Sequence, residues 1–143
     1  MMDNTDHTLL QALTRNARAT ITELAQTLGL ARSTVQSRLD RLEATGAIAG
    51  YTVRLGEPAR TRIRATVLLQ LTPRAAPAVL SRLKTMPEVE RAHSSSGRFD
   101  LILQLATATT TALDEALDRI GALEGVVSSE SLIHLATKID RAI

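Results

Sequence analysis

At 143 residues, with 44% hydrophobic content and a formal charge of +2, the chain can form one well-buried core or two small domains, and it is too short for a large enzyme. It has no cysteine, which removes disulfides, thiolate metal sites and thiol nucleophiles. No apolar run approaches the roughly 18 residues of a membrane span, and the opening MMDNTDHT is polar and acidic rather than signal-like, so a cytoplasmic protein is expected.

Three short helices fit the first part of the chain. Asp3 can cap the first, whose apolar stripe is Leu9, Leu10 and Leu13. Thr20 and Glu23 form a T-x-x-E capping box for the second, whose stripe is Ile21, Leu24, Ala25 and Leu28. The third spans about Ala31 to Thr45, with Val35, Leu39 and Leu42 on one face and Gly46 as a left-handed stop. AIAGYTVRL then reads as an extended segment turning at Gly50, a hairpin or wing.

The Gly/Pro and charged run GEPARTR marks a linker. Beyond it the pattern changes. RIRATVLLQLT alternates as a strand through Ala65, Val67, Leu69 and Leu71, and APAVLSRLKTM carries Ala76, Val79, Leu80 and Leu83 at helical spacing. EVERAHSSS is a polar strand candidate, Gly97 a turn, and FDLILQLA a strand aligning Phe99, Leu101, Leu103 and Leu105. TALDEALDRIGAL is helical through Leu113, Ala116, Leu117 and Ile120, and VVSSESLIHLAT closes as a strand. The order β-α-β-β-α-β is that of a split βαβ, ferredoxin-like sheet with both helices on one face. Since several strands put Leu, Val or Ile on both sides, the uncovered face is expected to be apolar and to pack against a second copy.

The expected fold class is therefore α+β: an N-terminal winged helix-turn-helix of three helices plus a short wing over 1–54, a linker over 55–62 and a ferredoxin-like βαββαβ domain over 63–143. Residues 1–62 carry 8 Arg against 6 acids, and residues 63–143 carry 9 Arg or Lys against 9 acids, so the cationic excess lies in the first part. That suits a polyanion partner there, and a solvated face equally well.

Local placement is more informative. Ala25 and Gly29 let two helices cross closely, while Leu24, Leu28, Leu30 and Val35 fill the wedge between them. Arg32, Ser33, Thr34, Gln36, Ser37, Arg38 and Arg41 then point outward. On a helix of major-groove width, the hydroxyls and amide reach base edges and the arginines reach guanine or phosphate, which makes double-stranded DNA the expected partner. Two plainer readings stand beside this. Arg38 and Arg41 pair with Asp40, Glu43 or other acids, or the helical domain of a ligand-binding or scaffolding module docks protein instead of DNA.

These residues give the chain its resemblance to the Lrp/AsnC family, the feast/famine transcriptional regulators. MDNTDHTLLQAL is similar to the family's L-D-x-x-D-x-x-I-L opening, and the likeness continues through RATITELAQTLGLARSTVQSRLDRLEATGAIAGYTV, SSSGRFDLIL and GVVSSESLIHL. The resemblance implies DNA binding by the N-terminal domain, with dimerisation, higher assembly to tetramer or octamer, and response to a small molecule, usually an amino acid, by the C-terminal one. It also maps the recognition helix onto Ala31 to Glu43 and puts Arg38 where the family has Arg. Ala31 replaces the family's usual Ser cap, at a cost of about 1 kcal/mol, unless Ser33 and Gln36 start the helix later.

In the second half, SGRFD resembles the family's effector-binding G-x-[FY]-D turn. By that likeness Gly97 admits a ligand close to the backbone, Asp100 holds an α-ammonium group, and Ser129 and Ser131 add hydroxyls. Arg98 offers a fork to an α-carboxylate, or is simply a surface arginine beside Asp100. No cofactor is expected. His7, His93 and His134 lack metal-ligand spacing, and no serine sits in a nucleophile elbow, so neither a metal site nor an enzyme is expected.

Overall fold

The structure, a computed structural model, describes residues 1–141 and divides into two compact units, one running to Arg54 and the other spanning Leu55–Asp140. The first unit contains α1 (Asn4–Arg15), α2 (Ile21–Leu28) and α3 (Arg32–Ala44). Asp3 caps α1 in a reciprocal box with Asp6, and Thr20 caps α2 in the box with Glu23, so each box satisfies orphan amides from both ends. Gly29 ends α2 at φ +67, a conformation a side chain would resist. Leu9, Leu13, Leu24, Ala25, Val35 and Leu42 form the core between the three helices. α3 begins after Ala31, which provides no side-chain cap bond, so the later start at Ser33 is not adopted.

The expected hairpin after α3 is not present. Among the described residues none between Ala47 and Leu55 enters a ladder. The upstream arm of a hairpin would need the Ile48 amide, and that N–H instead donates to Leu42 O and closes the end of α3. Tyr51 is tied back to α3 through its hydroxyl, which donates to Glu43 Oε1 at 2.8 Å. An extended segment without a partner strand has nothing to pair with.

The second unit opens with a single helical turn at Glu57–Ala59, followed by β1 (Ile63–Leu71), α4 (Ala76–Leu83), β2 (Val89–Ser94), β3 (Leu101–Thr107), α5 (Thr110–Gly121) and β4 (Val126–Ile133). The four strands form one antiparallel sheet in the order β2-β3-β1-β4. Alternation sends Ala65, Val67, Leu69, Leu101, Leu103 and Leu105 to one face, where Val79 and Leu83 of α4 and Leu113, Ala116 and Ile120 of α5 complete the core. Phe99 lies ahead of β3 and is only partly buried.

The opposite face is more polar than expected. Cross-strand partners share a face, so Arg64, Thr66, Gln70, Gln104, Ser128 and Glu130 accompany Leu68, Ile102 and Leu132 there. A continuous apolar patch does not form, because the out-facing alternate positions of β1 and β4 are mostly Thr, Gln, Ser and Glu.

Candidate nucleic-acid interface and effector turn

α3 owes its orientation to a narrow apolar seam. Val35 and Leu42 are fully buried and Leu39 half-buried, which turns Arg32, Ser33, Thr34, Gln36 and Ser37 into solvent. Gln36 Nε2 donates to Asp40 Oδ1 at 2.7 Å, leaving its carbonyl oxygen free to accept. Arg32 has no carboxylate within ion-pair distance among the described residues.

Arg38 and Arg41 are placed differently. Arg38 Nη1 donates to both oxygens of Asp3 at 2.8 Å and to Asp6 Oδ1 at 2.9 Å, and Arg41 Nη2 donates to Asp6 Oδ2 at 2.7 Å. The Asp6 side chain is 0% exposed, Arg38 is 25% exposed and Arg41 54%, so the acid at the centre of the cluster is the buried one. The arginines thus pair with acids of α1, and Asp40 bonds to Gln36 instead. Sequence reasoning missed Asp6. The signal was available: Asp6 sits at helical spacing with Leu9 and Leu13, a charged residue inside an apolar stripe, and such a residue needs a buried counter-charge.

The cluster shifts its carboxyls. Hydrogen bonding from Arg38 holds Asp3 down to about 2, against an ordinary value of 3.8. Burial pushes Asp6 up, but the Asp3 amide, the Arg38 hydrogen bond and the Arg41 charge outweigh it, and its pKa falls below the usual range. Both folded-state values lie below their unfolded ones, so unfolding takes up protons in acid. The stability these groups contribute is complete above about pH 4 and is lost as pH falls toward about 2. Thermal melts of the N-terminal unit followed through Tyr51 emission are expected to drop across that window, and Asp3→Asn to flatten the drop.

In the second unit Gly97 has φ +100 with open space where a side chain would stand. The turn after it is braced: the Ser95 N–H donates to Asp100 O at 3.0 Å and the Asp100 N–H to Leu69 O at 2.8 Å. Asp100 Oδ2 accepts the Leu71 N–H at 2.7 Å, so one carboxylate oxygen closes the end of β1 and the other accepts no hydrogen bond among the described residues. The Arg98 guanidinium lies 4.8 Å over the Phe99 ring, with Nη2 3.9 Å from Glu130 Oε2. Ser129 and Ser131 pair with Leu69 and Val67, hence on the helix side of the sheet, whereas Glu130 pairs with Leu68 on the open side. Arg98 and the two serines therefore address opposite faces. A groove of about 290 Å³ between α4 and β2, floored by Leu80, Leu83, Val89 and Ala92 beside Lys84 and Arg91, contains none of them.

Three helices, the first two closed by capping boxes and the third exposing a polar row, followed by a four-stranded βαββαβ sheet, define a helix-turn-helix regulator with an appended ligand-binding domain. The AsnC-type helix-turn-helix domain matches residues 2–43 and the Lrp/AsnC ligand binding domain matches residues 64–143. The chain belongs to the Lrp/AsnC family of transcriptional regulators. It is 32% identical to the HTH-type transcriptional regulator LrpA of Mycobacterium tuberculosis over 92% of this chain and 89% of the relative. It is 28% identical to LysM of Saccharolobus solfataricus over 95% of each. Among solved structures, Escherichia coli AsnC superposes with a TM-score of 0.87 at 25% identity, covering 100% of this chain and 98% of that one. A Neisseria meningitidis transcriptional regulator in complex with L-Met superposes with a TM-score of 0.85 at 26% identity, covering 99% and 94%. No helix among the described residues is long and apolar enough to cross a membrane.

Proposed function

We propose that this regulator reads duplex DNA through the exposed row of α3, with Ser33, Thr34, Gln36 and Ser37 toward base edges and Arg32 toward phosphate, as a cytoplasmic homodimer or larger assembly. The observation that carries this is the row itself: five polar side chains in the first two turns face solvent on a helix whose opposite seam buries Val35 and Leu42 fully and Leu39 in part. Association is supported by exposed Leu132, Leu135 and Ile139 at and beyond the last strand, and by the small charge excess, which leaves one unit alone with little affinity. The effector is an amino acid held at the Gly97–Asp100 turn, in keeping with the free Asp100 oxygen and with the L-Met complex of the Neisseria relative.

The test is fluorescence anisotropy on a duplex enriched from a random library, repeated over a salt series. Log affinity is expected to fall linearly with log salt, about 0.9 for each phosphate neutralised, and Arg32→Ala to lower that slope by about 0.9 for each unit engaged. A flat salt response would instead favour a protein-docking role. Sedimentation at micromolar concentration should find no monomer, and a panel of amino acids should shift the binding curve for at least one member.

A further inference from the structure

The four charges that join α1 to α3 have a bearing on how the DNA reading works, and the inference rests on that reading. Asp3 and Asp6 are three residues apart on one helix start, Arg38 and Arg41 three apart on α3, so two one-turn spacings face each other. An exposed ion pair of this kind would exchange its partner readily. Asp6 cannot, because its carboxylate is sealed from solvent and each of its oxygens is matched by a different arginine. Moving Arg38 onto a hydrated phosphate would leave Asp6 Oδ1 unpartnered in a sealed site, and moving Arg41 would leave the buried carboxylate one counter-charge short with only Arg38 and the Asp3 N–H to hold it, which costs more than one exposed contact returns. The cluster is also neutral, two carboxylates against two guanidinium groups, so it offers a polyanion no net attraction. Arg32, one turn before Gln36 and without a carboxylate partner among the described residues, has no such constraint.

We propose that Arg38 and Arg41 are positioning residues, clamped by Asp3 and Asp6 to fix the pose of α3, and that they do not bind phosphate. Asp6 is thereby a determinant of DNA recognition although it touches no DNA. The two roles predict opposite signs. If the arginines contacted phosphate, removing a competing carboxylate would tighten binding and steepen its salt dependence, and Arg38→Lys, which keeps the charge, would be nearly silent. As positioning residues they act through geometry: all three Arg38 bonds come from Nη1 at the far end of the side chain, and a Lys ammonium stops one bond short of that point, so the same change misaims the helix.

The experiment compares the full chain with Arg38→Lys, Asp3→Asn and Asp6→Asn on the enriched duplex and on a random-sequence duplex, each over the same salt series. Asp3→Asn preserves the helix cap and alters an exposed side chain, so it reports even if the buried Asp6 variant does not fold. Arg38→Lys is expected to weaken binding to the enriched duplex about tenfold and Asp3→Asn two- to threefold, with the salt slope unchanged and random-sequence binding nearly so. The ratio of specific to non-specific affinity falls, which simple loss of folded protein would not produce. Tighter binding by Asp3→Asn with a slope steeper by about 0.9, or wild-type behaviour of Arg38→Lys, would overturn the inference while leaving the DNA reading intact. A wild-type chain that bound neither duplex would overturn both.

Discussion

Leu9→Ala is expected to unfold most of the N-terminal unit at 37 °C and abolish DNA binding, while the C-terminal unit keeps its fold. Leu9 is fully buried at the centre of a small core, six buried residues with partly buried ones packed around them, so its truncation leaves a cavity that shorter side chains must close. Truncations of this kind cost about 2–5 kcal/mol. A unit of this size has a total stability of roughly 3–8 kcal/mol, so the loss takes most of it. The only tyrosine of the chain, Tyr51, lies in this unit and its hydroxyl bonds to α3, which makes tyrosine emission a local probe and far-ultraviolet circular dichroism a global one. Two separate transitions, the tyrosine one moved down and the second unmoved, are the expected result. A single shared transition would mean that the units do not melt independently.

Gly125→Ala is expected to do comparable damage to the C-terminal unit through the backbone instead of a cavity. Gly125 stands at φ +96 just before β4, and its carbonyl accepts the Thr72 N–H at 2.9 Å, joining the start of β4 to the end of β1. A methyl group there would lie 2.6 Å from Ala75 Cβ and 3.4 Å from Val79 Cγ2. The strained φ costs about 1–3 kcal/mol and relieving the overlap about 1–3 kcal/mol more. Gly121→Ala is the matched control: it closes α5, lies at an ordinary φ and would meet only Ser129 Oγ at 3.9 Å. It is expected to be neutral or to stabilise by less than about 1 kcal/mol. Urea melts of the two variants side by side separate the readings, and equal midpoints would refute the account of Gly125.

The elements that were legible in the sequence are those whose signal is local. Thr20 and Glu23 announce the start of α2, and Gly29 its end, because capping and a left-handed turn each depend on a few neighbouring residues. The strand and helix order of the second unit follows from apolar periods that switch between two and 3.6, as at Leu69 and Val79. What depends on distant residues was not legible. Nothing near Gly50 shows that the Ile48 amide is taken by α3, so the hairpin looked available. Along α3 the pattern groups Arg32, which has no carboxylate partner among the described residues, with Arg38 and Arg41, and cannot separate them because the partners of the last two lie more than thirty positions away. Asp100 was read as a ligand group, and the fold also uses it to terminate β1 through the Leu71 amide, a bond between residues 29 positions apart.

Asp3 has two duties within a few ångströms: it caps α1 and it grips Arg38. Trimming the chain past its third residue would release both at once, leaving the first helix frayed and the reading helix held by Asp6 alone. Digestion that removes that end during purification is therefore expected to lower operator selectivity in preparations whose recognition sequence is untouched.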